Sequence, residues 1–282
     1  MEIDASRRVS IHTADAAELI AQVPDSSVDL ILTDPPYNLG TYSTGNIKMS
    51  WRSDFNNDIA HWDQEKFDPA AWLPHFQRVL KPTGNIVAFT SYNQLGDWHR
   101  VFDPVFDTFQ FMVWHKTNPA PKLRRAGFLN SCELIVFAWN KGHTWNFGRQ
   151  NEMHNFFESP ICMGKERIKN PKHPTQKPLG VLRHILKLAS DPGDLVFDPF
   201  MGVGSTGIAA IDLDRRFLGF DKEAAYVIAS KDRFEAATGE TMIDISAQWS
   251  PAGPASFSDS GTVAQPAAFG FGALSDTAVT LH

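Results

Sequence analysis

The stretch Asp194-Leu-Val-Phe-Asp198-Pro-Phe-Met-Gly202-Val-Gly204-Ser-Thr-Gly207 decides the fold of this 282-residue chain. Its apolar residues predict a buried strand over 194–197, and the glycines predict a turn that leads into a helix over 205–213. Glycine allows a ligand to approach the backbone closely, while a helix N-terminus offers free N–H groups and a partial positive charge to an anion. The stretch therefore predicts a ligand-binding turn at the end of a strand in an α/β sheet.

An acidic residue follows the glycine turn at a spacing that indicates the kind of ligand. Asp221 comes after the strand predicted over 217–220, where its carboxylate can accept hydrogen bonds from both hydroxyls of a ribose. The pattern Gly202-x-Gly204-x-x-Gly207 is also the dinucleotide fingerprint, so on its own it fits NAD as well as S-adenosylmethionine. A dehydrogenase usually turns directly after the strand, whereas Asp198-Pro-Phe here separates the strand from the glycines. Because no hydride-transfer constellation is evident either, an NAD-dependent dehydrogenase is the more distant alternative.

Strands and helices alternate along most of the chain. Apolar runs predict strands, and apolar residues at helical spacing predict helices. The predicted strands cover 9–13, 28–33, 85–90, 109–115, 132–139, 194–197 and 217–220, and the predicted helices cover 16–22, 69–80, 178–190, 205–213 and 223–238. This order is typical of a doubly wound, mostly parallel sheet with helices on both faces.

Two parts of the chain lack this patterning. Residues 140–175 are rich in Asn, His, Lys and Pro with weak periodicity, which suits an irregular surface insertion. From Ala247 the composition changes to Pro, Ala, Gly, Ser and Thr, which predicts a disordered or loosely packed tail over 247–282. We therefore expect one catalytic domain over 1–246 with an inserted segment over about 115–175.

A second motif, Thr33-Asp34-Pro35-Pro36-Tyr37-Asn38, follows the strand predicted over 28–33. Two consecutive prolines fix the backbone and remove two N–H donors, so carbonyl oxygens there are available as acceptors. The amino group of a nucleobase is a poor nucleophile, and acceptors on both of its N–H bonds favour a tetrahedral nitrogen that can attack a methyl sulfonium. Asp34 and the Pro35 carbonyl supply such acceptors, and Tyr37 supplies a flat face for a base swung out of the duplex. A purely structural Asp-capped Pro-Pro turn is the alternative.

Charge is distributed unevenly along the chain. The formal net charge of −6 argues by itself against a nucleic-acid partner, because affinity for DNA rests on cations that neutralise phosphates. Residues 108–180, however, hold eleven cations and four carboxylates. One face can therefore be strongly basic, unless these side chains are simply solvated.

Composition excludes several other classes of protein. No run of about eighteen apolar residues is present, so we expect no membrane role. The N-terminus lacks the pattern of a secretory signal, and the two cysteines, Cys132 and Cys162, cannot form a disulfide framework. We therefore expect a reducing, cytoplasmic setting. Neither cysteine has metal-binding spacing, and no metal site is predicted.

Together, Asp34-Pro-Pro-Tyr37 and Asp198-Pro-Phe-x-Gly-x-Gly-Ser-Thr206 closely resemble the motifs of the DNA amino-methyltransferases that act on adenine N6 or cytosine N4. The catalytic motif precedes the cofactor loop, as in the permuted β group of that family, and the resemblance spans about 9–236. It implies a Rossmann-like, S-adenosylmethionine-dependent enzyme that transfers a methyl group to a flipped base of double-stranded DNA without a metal. Asp34 favours adenine N6, because family members that act on cytosine N4 more often carry Ser at that position.

The resemblance also assigns roles to parts of the chain. Combined with the excess of cations over 108–180, it makes 115–175 the candidate DNA-contacting surface. It implies that Asp15 holds the adenine of the cofactor and that His173-Pro-Thr-Gln-Lys177-Pro178 helps to bind its methionine end. At the ribose position the family usually has Glu, whereas this chain has Asp221 with Glu223 nearby. The catalytic candidates are Asp34, Pro35, Pro36 and Tyr37; the cofactor candidates are Asp15, Lys177, Pro178, Asp198, Pro199, Phe200, Gly202, Gly204, Ser205, Thr206 and Asp221; and the DNA candidates are Lys116, Asn118, Lys122, Arg124 and Arg125.

Alternative substrates stay open on the sequence. Cytosine N4 is the nearest alternative target, and methylation at cytosine C5 is disfavoured because neither cysteine follows the proline typical of that nucleophile. Related enzymes that act on a protein glutamine or on RNA commonly carry Asn in place of Asp34. A homodimer and a cognate restriction endonuclease both fit the family, and no motif encodes the DNA sequence that the chain recognises.

Overall fold

Eight strands form one sheet within the residues that the computed structural model describes, which are 7–37, 67–121 and 127–241. The strands are β1 (Val9–Thr13), β2 (Val28–Thr33), β3 (Leu80–Thr90), β4 (Thr108–Lys116), β5 (Cys132–Trp139), β6 (Phe156–Ser159), β7 (Leu195–Asp198) and β8 (Arg216–Asp221). The order across the sheet is β1-β8-β7-β2-β3-β5-β4-β6. Every neighbouring pair is parallel except the two pairs that involve β5, which runs against all the other strands.

Helices connect most of these strands. They are α1 (Ala16–Leu19), α2 (Pro69–Val79), α3 (Leu95–Phe102), α4 (Leu179–Ala189), α5 (Ser205–Ile211) and α6 (Ala224–Thr238), with short 3-10 turns at Ile20–Gln22 and Gln150–Glu152. Local chemistry explains where two of them begin. The Asp15 carboxylate accepts a hydrogen bond of 2.8 Å from the Ala17 N–H at the start of α1, and Asp68 accepts one of 3.0 Å from Ala70 at the start of α2.

The core consists of two apolar clusters, one on each face of the sheet. Side chains of a strand alternate between faces, so Leu30 of β2 packs in the cluster that contains α4 and α5, while Ile31 packs in the other. The second cluster is closed by Phe76 of α2 and Trp98 of α3, which are fully buried. The sheet therefore lies between two layers of helices, and the predicted doubly wound, mostly parallel fold is confirmed.

Most boundaries lie within three residues of the sequence prediction, and three differences are larger. β3 begins at Leu80 instead of Asn85 and is thus longer than predicted. Helix α3 was not predicted, because it spans only eight residues and its N-cap residue makes no side-chain capping hydrogen bond. β6 lies inside 140–175, which we expected to be irregular, and it pairs with β4 over only four residues. The predicted domain boundary and the tail over 247–282 stay predictions, because the tail lies outside the described residues.

Three further findings concern only the described residues. None of the helices there is long and apolar enough to cross a bilayer. Over 7–37, 67–121 and 127–241, no group of three or more His, Cys, Asp or Glu side chains is arranged to hold a metal ion. Cys132 and Cys162 are both free thiols.

Candidate active site

Four acidic residues lie at the carboxyl ends of four neighbouring parallel strands. Across the sheet, β1 leads to Asp15, β8 ends at Asp221, β7 ends at Asp198, and β2 leads to Asp34. The carboxyl ends of adjacent parallel strands meet at one edge of the sheet, which is where open α/β sheets bind their ligands. Strand order therefore brings together acidic residues that are far apart in the sequence.

A cleft opens along this edge, and Asp15, Asp34 and Asp221 share its wall. The other lining residues are Ala16, Ala17, Pro36, Phe67, Trp72, Pro199, Phe200, Lys222 and Glu223. The hydroxyl of Thr33, the residue before Asp34, donates a hydrogen bond of 2.8 Å to Asp198 Oδ1. The residue that precedes the Asp-Pro-Pro-Tyr corner and the residue that begins the glycine turn are therefore hydrogen-bonded to each other.

The chemistry of the cleft fits S-adenosylmethionine. Its carboxylates suit a ligand that carries a sulfonium charge and donates hydrogen bonds from ribose hydroxyls. The rings of Phe67, Trp72 and Phe200 form an aromatic wall, with centroids 5.0 Å apart for Trp72 and Phe200 and 5.8 Å apart for Phe67 and Phe200. Such a wall suits the flat adenine ring of the cofactor.

Both oxygens of the Asp34 carboxylate are hydrogen-bonded to side chains of the protein. The Tyr37 hydroxyl donates to Oδ1 at 2.6 Å, and the Lys177 ammonium lies 2.5 Å from Oδ2. An ionised carboxylate offers about four acceptor positions, so two remain for the amino hydrogens of a substrate. The two protein donors therefore orient Asp34 at the wall of the cleft without using up its capacity to accept.

Lys177 belongs to a chain of alternating charges, which we call the charge chain and which consists of Asp34, Lys177, Glu133 and Lys116. The Lys177 ammonium lies 3.5 Å from Glu133 Oε2, and the Lys116 ammonium lies 2.6 Å from Glu133 Oε1. Only 6% of the Lys177 side chain is exposed, and its ammonium sits 5.0 Å from the centroid of the Phe89 ring. Because two anions and two cations alternate, the buried charges compensate each other.

Burial and neighbouring charges set the protonation of the charge chain. Burial raises the pKa of Asp34; Lys177 opposes this rise and the Glu133 charge adds to it. Burial disfavours the charged form of Glu133, but Lys177 and Lys116 together hold its pKa below the ordinary value. Burial also disfavours the Lys177 ammonium, yet Asp34 and Glu133 outweigh that effect and raise its pKa. Lys177 and Glu133 therefore stay charged, and Asp34 is the carboxylate of the chain that takes up a proton more readily.

Tyr37 lies among the same charges. Its hydroxyl oxygen also lies 3.3 Å from Glu133 Oε2, and burial, followed by the charges of Asp34 and Glu133, raises the pKa of Tyr37 well above its ordinary value. Tyr37 is 8% exposed, and the Lys177 ammonium lies over its ring at 5.1 Å from the centroid. We expected Tyr37 to offer a flat face to a base, whereas its contacts here hold the Asp34 carboxylate in place.

The glycines of the turn pack closely against other parts of the protein. A Cβ on Gly204 would lie 2.9 Å from Phe234 Cζ of α6, and a Cβ on Gly207 would lie 2.5 Å from the same atom. Gly202 has a φ of +53°, and a Cβ there would lie 2.8 Å from His173 Nε2. The missing side chains of these glycines therefore make room for protein atoms, and the approach of a ligand to their backbone stays a prediction.

Two carboxylates hold the backbone of the turn. Asp198, which is 1% exposed, accepts a hydrogen bond of 3.1 Å from the Phe200 N–H, and burial raises the pKa of Asp198 to about 7. Asp221 accepts hydrogen bonds of 2.8 Å from the N–H groups of Gly202 and Glu223, and burial raises the pKa of Asp221 to about 6. Asp221 lines the cleft whereas Asp198 does not, so Asp198 supports the turn from below.

Segment 173–178 connects the glycine turn to the corner. At its start, His173 packs against Gly202, and burial lowers the pKa of His173 to about 4, which keeps its imidazole neutral. At its end, Lys177 binds the Asp34 carboxylate and Pro178 precedes α4. The sequence assigned Lys177 and Pro178 to the cofactor, but neither residue lines the cleft.

A second cavity is lined by Lys116, Glu133 and Lys177, the members of the charge chain beyond Asp34. Its other lining residues are Trp114, Ala120, Pro121, Asn130, Ile161, Arg167, Pro174, Thr175 and Gln176. This wall combines an indole ring and prolines with amide and cationic groups, a mixture that suits a flat polar ligand. The charge chain therefore contacts one cleft through Asp34 and the other through its remaining members.

The candidate DNA-contacting residues have other contacts in the structure. Lys116 forms the ion pair with Glu133 described above, and only 14% of its side chain is exposed. Asn118 accepts a hydrogen bond of 2.8 Å from the Ile161 N–H, so it ties the segment after β4 to the segment after β6. Lys122, Arg124 and Arg125 lie outside the described residues.

The catalytic and cofactor residues predicted from the sequence divide into two groups by position. Those that line the cleft are Asp15, Asp34, Pro36, Pro199, Phe200 and Asp221. Those that are buried and do not line the cleft are Pro35, Tyr37, Lys177, Pro178, Asp198, Gly202, Gly204, Ser205 and Thr206. Glu133 was not among the predicted site residues, although one signal was available. It is a lone carboxylate in a strand that is predicted to be buried, and such a carboxylate requires a partner of opposite charge.

Comparisons with known proteins agree with this geometry. The N6_N4_Mtase family model, whose description is DNA methylase, matches residues 28–232. The Type II methyltransferase M2.DpnII of Streptococcus pneumoniae is 30% identical over 248 residues, which cover 82% of this chain and 91% of that protein. The Type II methyltransferase M.HinfI of Haemophilus influenzae is 29% identical over 244 residues, which cover 79% of this chain and 67% of that protein.

A solved structure gives the same result. The crystal structure of the M1.HpyAVI–SAM complex is 28% identical to this chain, with a TM-score of 0.59, and the match covers 80% of this chain and 99% of that one. An acidic corner beside a carboxylate-lined cleft at the edge of a Rossmann-like sheet defines an S-adenosylmethionine-dependent methyltransferase of amino groups. The chain belongs to the family of DNA methyltransferases that modify adenine N6 or cytosine N4.

Proposed function

We propose that this DNA methyltransferase modifies the exocyclic N6 of adenine in double-stranded DNA. The observation that carries the proposal is Asp34, whose carboxylate lies at the wall of the cofactor cleft and keeps two acceptor positions beyond its bonds to Tyr37 and Lys177. The aspartate itself favours adenine over cytosine by the family resemblance. Cytosine N4 is the second candidate, because the family includes both activities.

In the proposed mechanism, the protein activates the amino group by orienting it. Asp34 and the Pro35 carbonyl accept the two N–H bonds of a flipped base and direct the nitrogen lone pair toward the cleft. When bound, S-adenosylmethionine supplies an electrophilic methyl group. Asp15 and Asp221 would hold the adenosine part of the cofactor, and Phe200 would contribute to the aromatic wall beside it.

Exposed lysines near the site support a DNA-binding surface. Lys165, Lys169 and Lys172 are exposed and lie in the segment that runs from the end of β6 to Lys177. β6 ends beside Lys116, and Lys177 binds Asp34, so both ends of the segment are at the edge that carries the cleft. We assign phosphate contacts to these three lysines, and Lys122, Arg124 and Arg125 stay candidates on the sequence.

The cellular role that we propose is modification of the DNA of a host at one short sequence. The Type II names of the two relatives support a place in a restriction–modification system. A homodimer and a cognate endonuclease stay proposals that rest on the family.

Expression in a methylation-free host, followed by sequencing that maps modified bases, tests the proposed function. We expect N6-methyladenine at one recurrent sequence in cells that express the chain and none in cells that express Asp34→Ala. N4-methylcytosine at a recurrent sequence would overturn the assignment to adenine, and an unmodified genome would contradict the proposal as a whole.

A further inference from the structure

The charge chain contains one more acidic group than the contact between Lys177 and Asp34 requires. Asp34 alone already neutralises Lys177 at 2.5 Å, yet Glu133 approaches the same ammonium to 3.5 Å from β5 and brings its own cation, Lys116, at 2.6 Å. Burying a carboxylate and an ammonium costs several kcal/mol per ion before their attraction is counted, so an additional buried pair is weak evidence for stability alone. The second pair therefore requires another explanation.

The chemistry of amino-methylation explains why a second buried ion pair is needed. When the target nitrogen forms its bond to the methyl carbon, the electron pair of the broken carbon–sulfur bond stays on sulfur, and the nitrogen becomes cationic. The nitrogen then releases one N–H proton, and the nearest base is the Asp34 carboxylate that already accepts that hydrogen bond. The proton passes from Asp34 to water before the next turnover. Each turnover thus includes a state in which Asp34 is neutral.

That state affects Lys177. With Asp34 protonated, the ammonium loses its 2.5 Å partner while it remains 6% exposed, and an unpaired buried cation is strongly unfavourable. Within 7–37, 67–121 and 127–241, Glu133 is the other carboxylate within ion-pair distance of Lys177, and the charges of Lys177 and Lys116 keep Glu133 ionised. The Lys177 ammonium can therefore remain charged throughout the turnover.

We propose that Glu133 is a positioning residue that acts through Lys177: it holds and neutralises the Lys177 ammonium, so that Asp34 can accept the proton released by the target amino group. The inference rests on the methyl transfer to an amino group described above, and it holds for adenine N6 and for cytosine N4 alike. Glu133 does not touch the reacting atoms, and its effect on Asp34 is electrostatic.

Among the described residues, the charged and titratable groups around Asp34 come from four parts of the chain. Tyr37 lies on the same corner, Lys177 precedes α4, Glu133 is the second residue of β5, and Asp198 ends β7. Of these, Glu133 and Asp198 repel a charge on Asp34, and Lys177 attracts it. Removing the Glu133 charge therefore lowers the pKa of Asp34 and makes it a weaker proton acceptor.

Glu133→Gln tests the proposal, because it removes the charge and keeps the size of the side chain. The first measurement is the titration of the Asp34 carboxyl carbon by NMR in the cofactor-free protein, assigned with Asp34→Asn. The second is the pH profile of kcat on unmethylated genomic DNA. Glu158→Gln is the matched control, since Glu158 is an exposed carboxylate on neighbouring β6 that pairs with His115 at 2.8 Å.

We expect Glu133→Gln to shift the Asp34 titration and the acidic limb of the kcat profile to lower pH, and to reduce kcat on the plateau by about 10-fold or more. Cofactor binding should be unchanged. Glu133→Asp, which keeps the charge, should restore the wild-type position of the acidic limb, and Glu158→Gln should match the wild type throughout.

Two outcomes would overturn the proposal. One is a Glu133→Gln protein whose Asp34 titrates as in the wild type, even if kcat falls, because a merely structural role predicts that pattern. The other is an unchanged kcat. If Glu133→Gln does not fold, a Glu133→Asp protein with a displaced acidic limb would likewise contradict the proposal. Because the titration needs no DNA, its result is independent of which base is modified.

Discussion

The glycine turn over 198–207 and the corner over 34–37 meet at the same edge of the sheet, but different forces hold them. The turn is held by packing and by backbone hydrogen bonds: Gly204 and Gly207 lie against Phe234, and Asp198 is buried beneath the turn. The corner is held by charges that come from distant parts of the chain, with Lys177 bound to Asp34.

The two regions therefore have different roles: the glycine turn supports the fold, and the corner carries the chemistry of methyl transfer. The glycine turn resembles a ligand-binding motif in sequence, yet several of its glycines and carboxylates contact other parts of the protein. The corner is short and looks like a simple turn in sequence, yet its carboxylate is oriented by two donors and keeps free acceptor positions. Substitutions in the turn should therefore change stability first, and substitutions in the corner should change methyl transfer first.

The largest effect on stability is expected from the pH dependence of Asp198. Because burial raises its folded-state pKa to about 7, Asp198 stabilises the fold fully below its unfolded pKa of about 4, and this stabilisation is lost as pH rises through about 7. The free energy of unfolding of the wild type should fall by roughly 3–4 kcal/mol more than that of Asp198→Asn between pH 4 and pH 8. Urea denaturation at both pH values measures it, and parallel curves for the two proteins would show that Asp198 is not protonated in the folded state.

A smaller loss of stability is expected from Gly207→Ala. The new Cβ would lie 2.5 Å from Phe234 Cζ and 2.6 Å from Phe217 Cδ1, so the rings must move at a cost of about 2 kcal/mol. Gly96→Ala is the matched control, because Gly96 lies in helix α3 with nothing within 4 Å of its added Cβ, and alanine favours a helix by up to about 1 kcal/mol. The thermal unfolding temperature should be lower than that of the wild type for Gly207→Ala and higher for Gly96→Ala. Equal unfolding temperatures for the two variants would show that Gly207 has no packing role.

The smallest effect is expected from substitution of the exposed lysines on the proposed DNA-binding surface. Lys169→Ala combined with Lys172→Ala should weaken DNA binding and reduce the slope of log affinity against log salt by about 2, since each phosphate contact contributes about 0.9. The control is the pair Lys141→Ala and Arg149→Ala. Both residues lie in the segment after β5, and β5 ends at the edge of the sheet opposite to the cleft because it runs antiparallel to β3. Fluorescence anisotropy at several salt concentrations measures both pairs. Equal slopes for the two double variants would show that Lys169 and Lys172 do not contact DNA phosphates.

Much of the fold could be predicted from local sequence. Strands such as 28–33 and 132–139 have apolar runs that match the observed β2 and β5, and the two motifs fall at strand ends as expected. β6 could not be predicted, because its four residues are a strand only through pairing with β4, which is a tertiary contact. Helix α3 lacks a side-chain cap, so its start left no local signal.

The candidate site could be predicted only in part, for a similar reason. Asp15, Asp34 and Asp221 each follow a predicted strand, so parallel strand order alone implies that they share an edge. The partners of Asp34 are long-range: Lys177 is 143 positions away, and no periodicity relates the two residues. Glu133 looks like a single carboxylate in an apolar strand, and its role depends on the side chains that the fold brings next to it.

Methyl transfer by Asp34→Ala, measured together with cofactor binding, tests whether the Asp34 carboxylate is the acceptor for the target amino group. Asp34 lies at the cleft wall and its carboxylate is the proposed acceptor for the target amino group, so we predict that cofactor affinity stays within about 3-fold of the wild type. Transfer of a labelled methyl group to unmethylated DNA should fall by at least about 100-fold, as for other preorganised catalytic groups. Methylation at a rate near that of the wild type would show that the Asp34 carboxylate is not this acceptor.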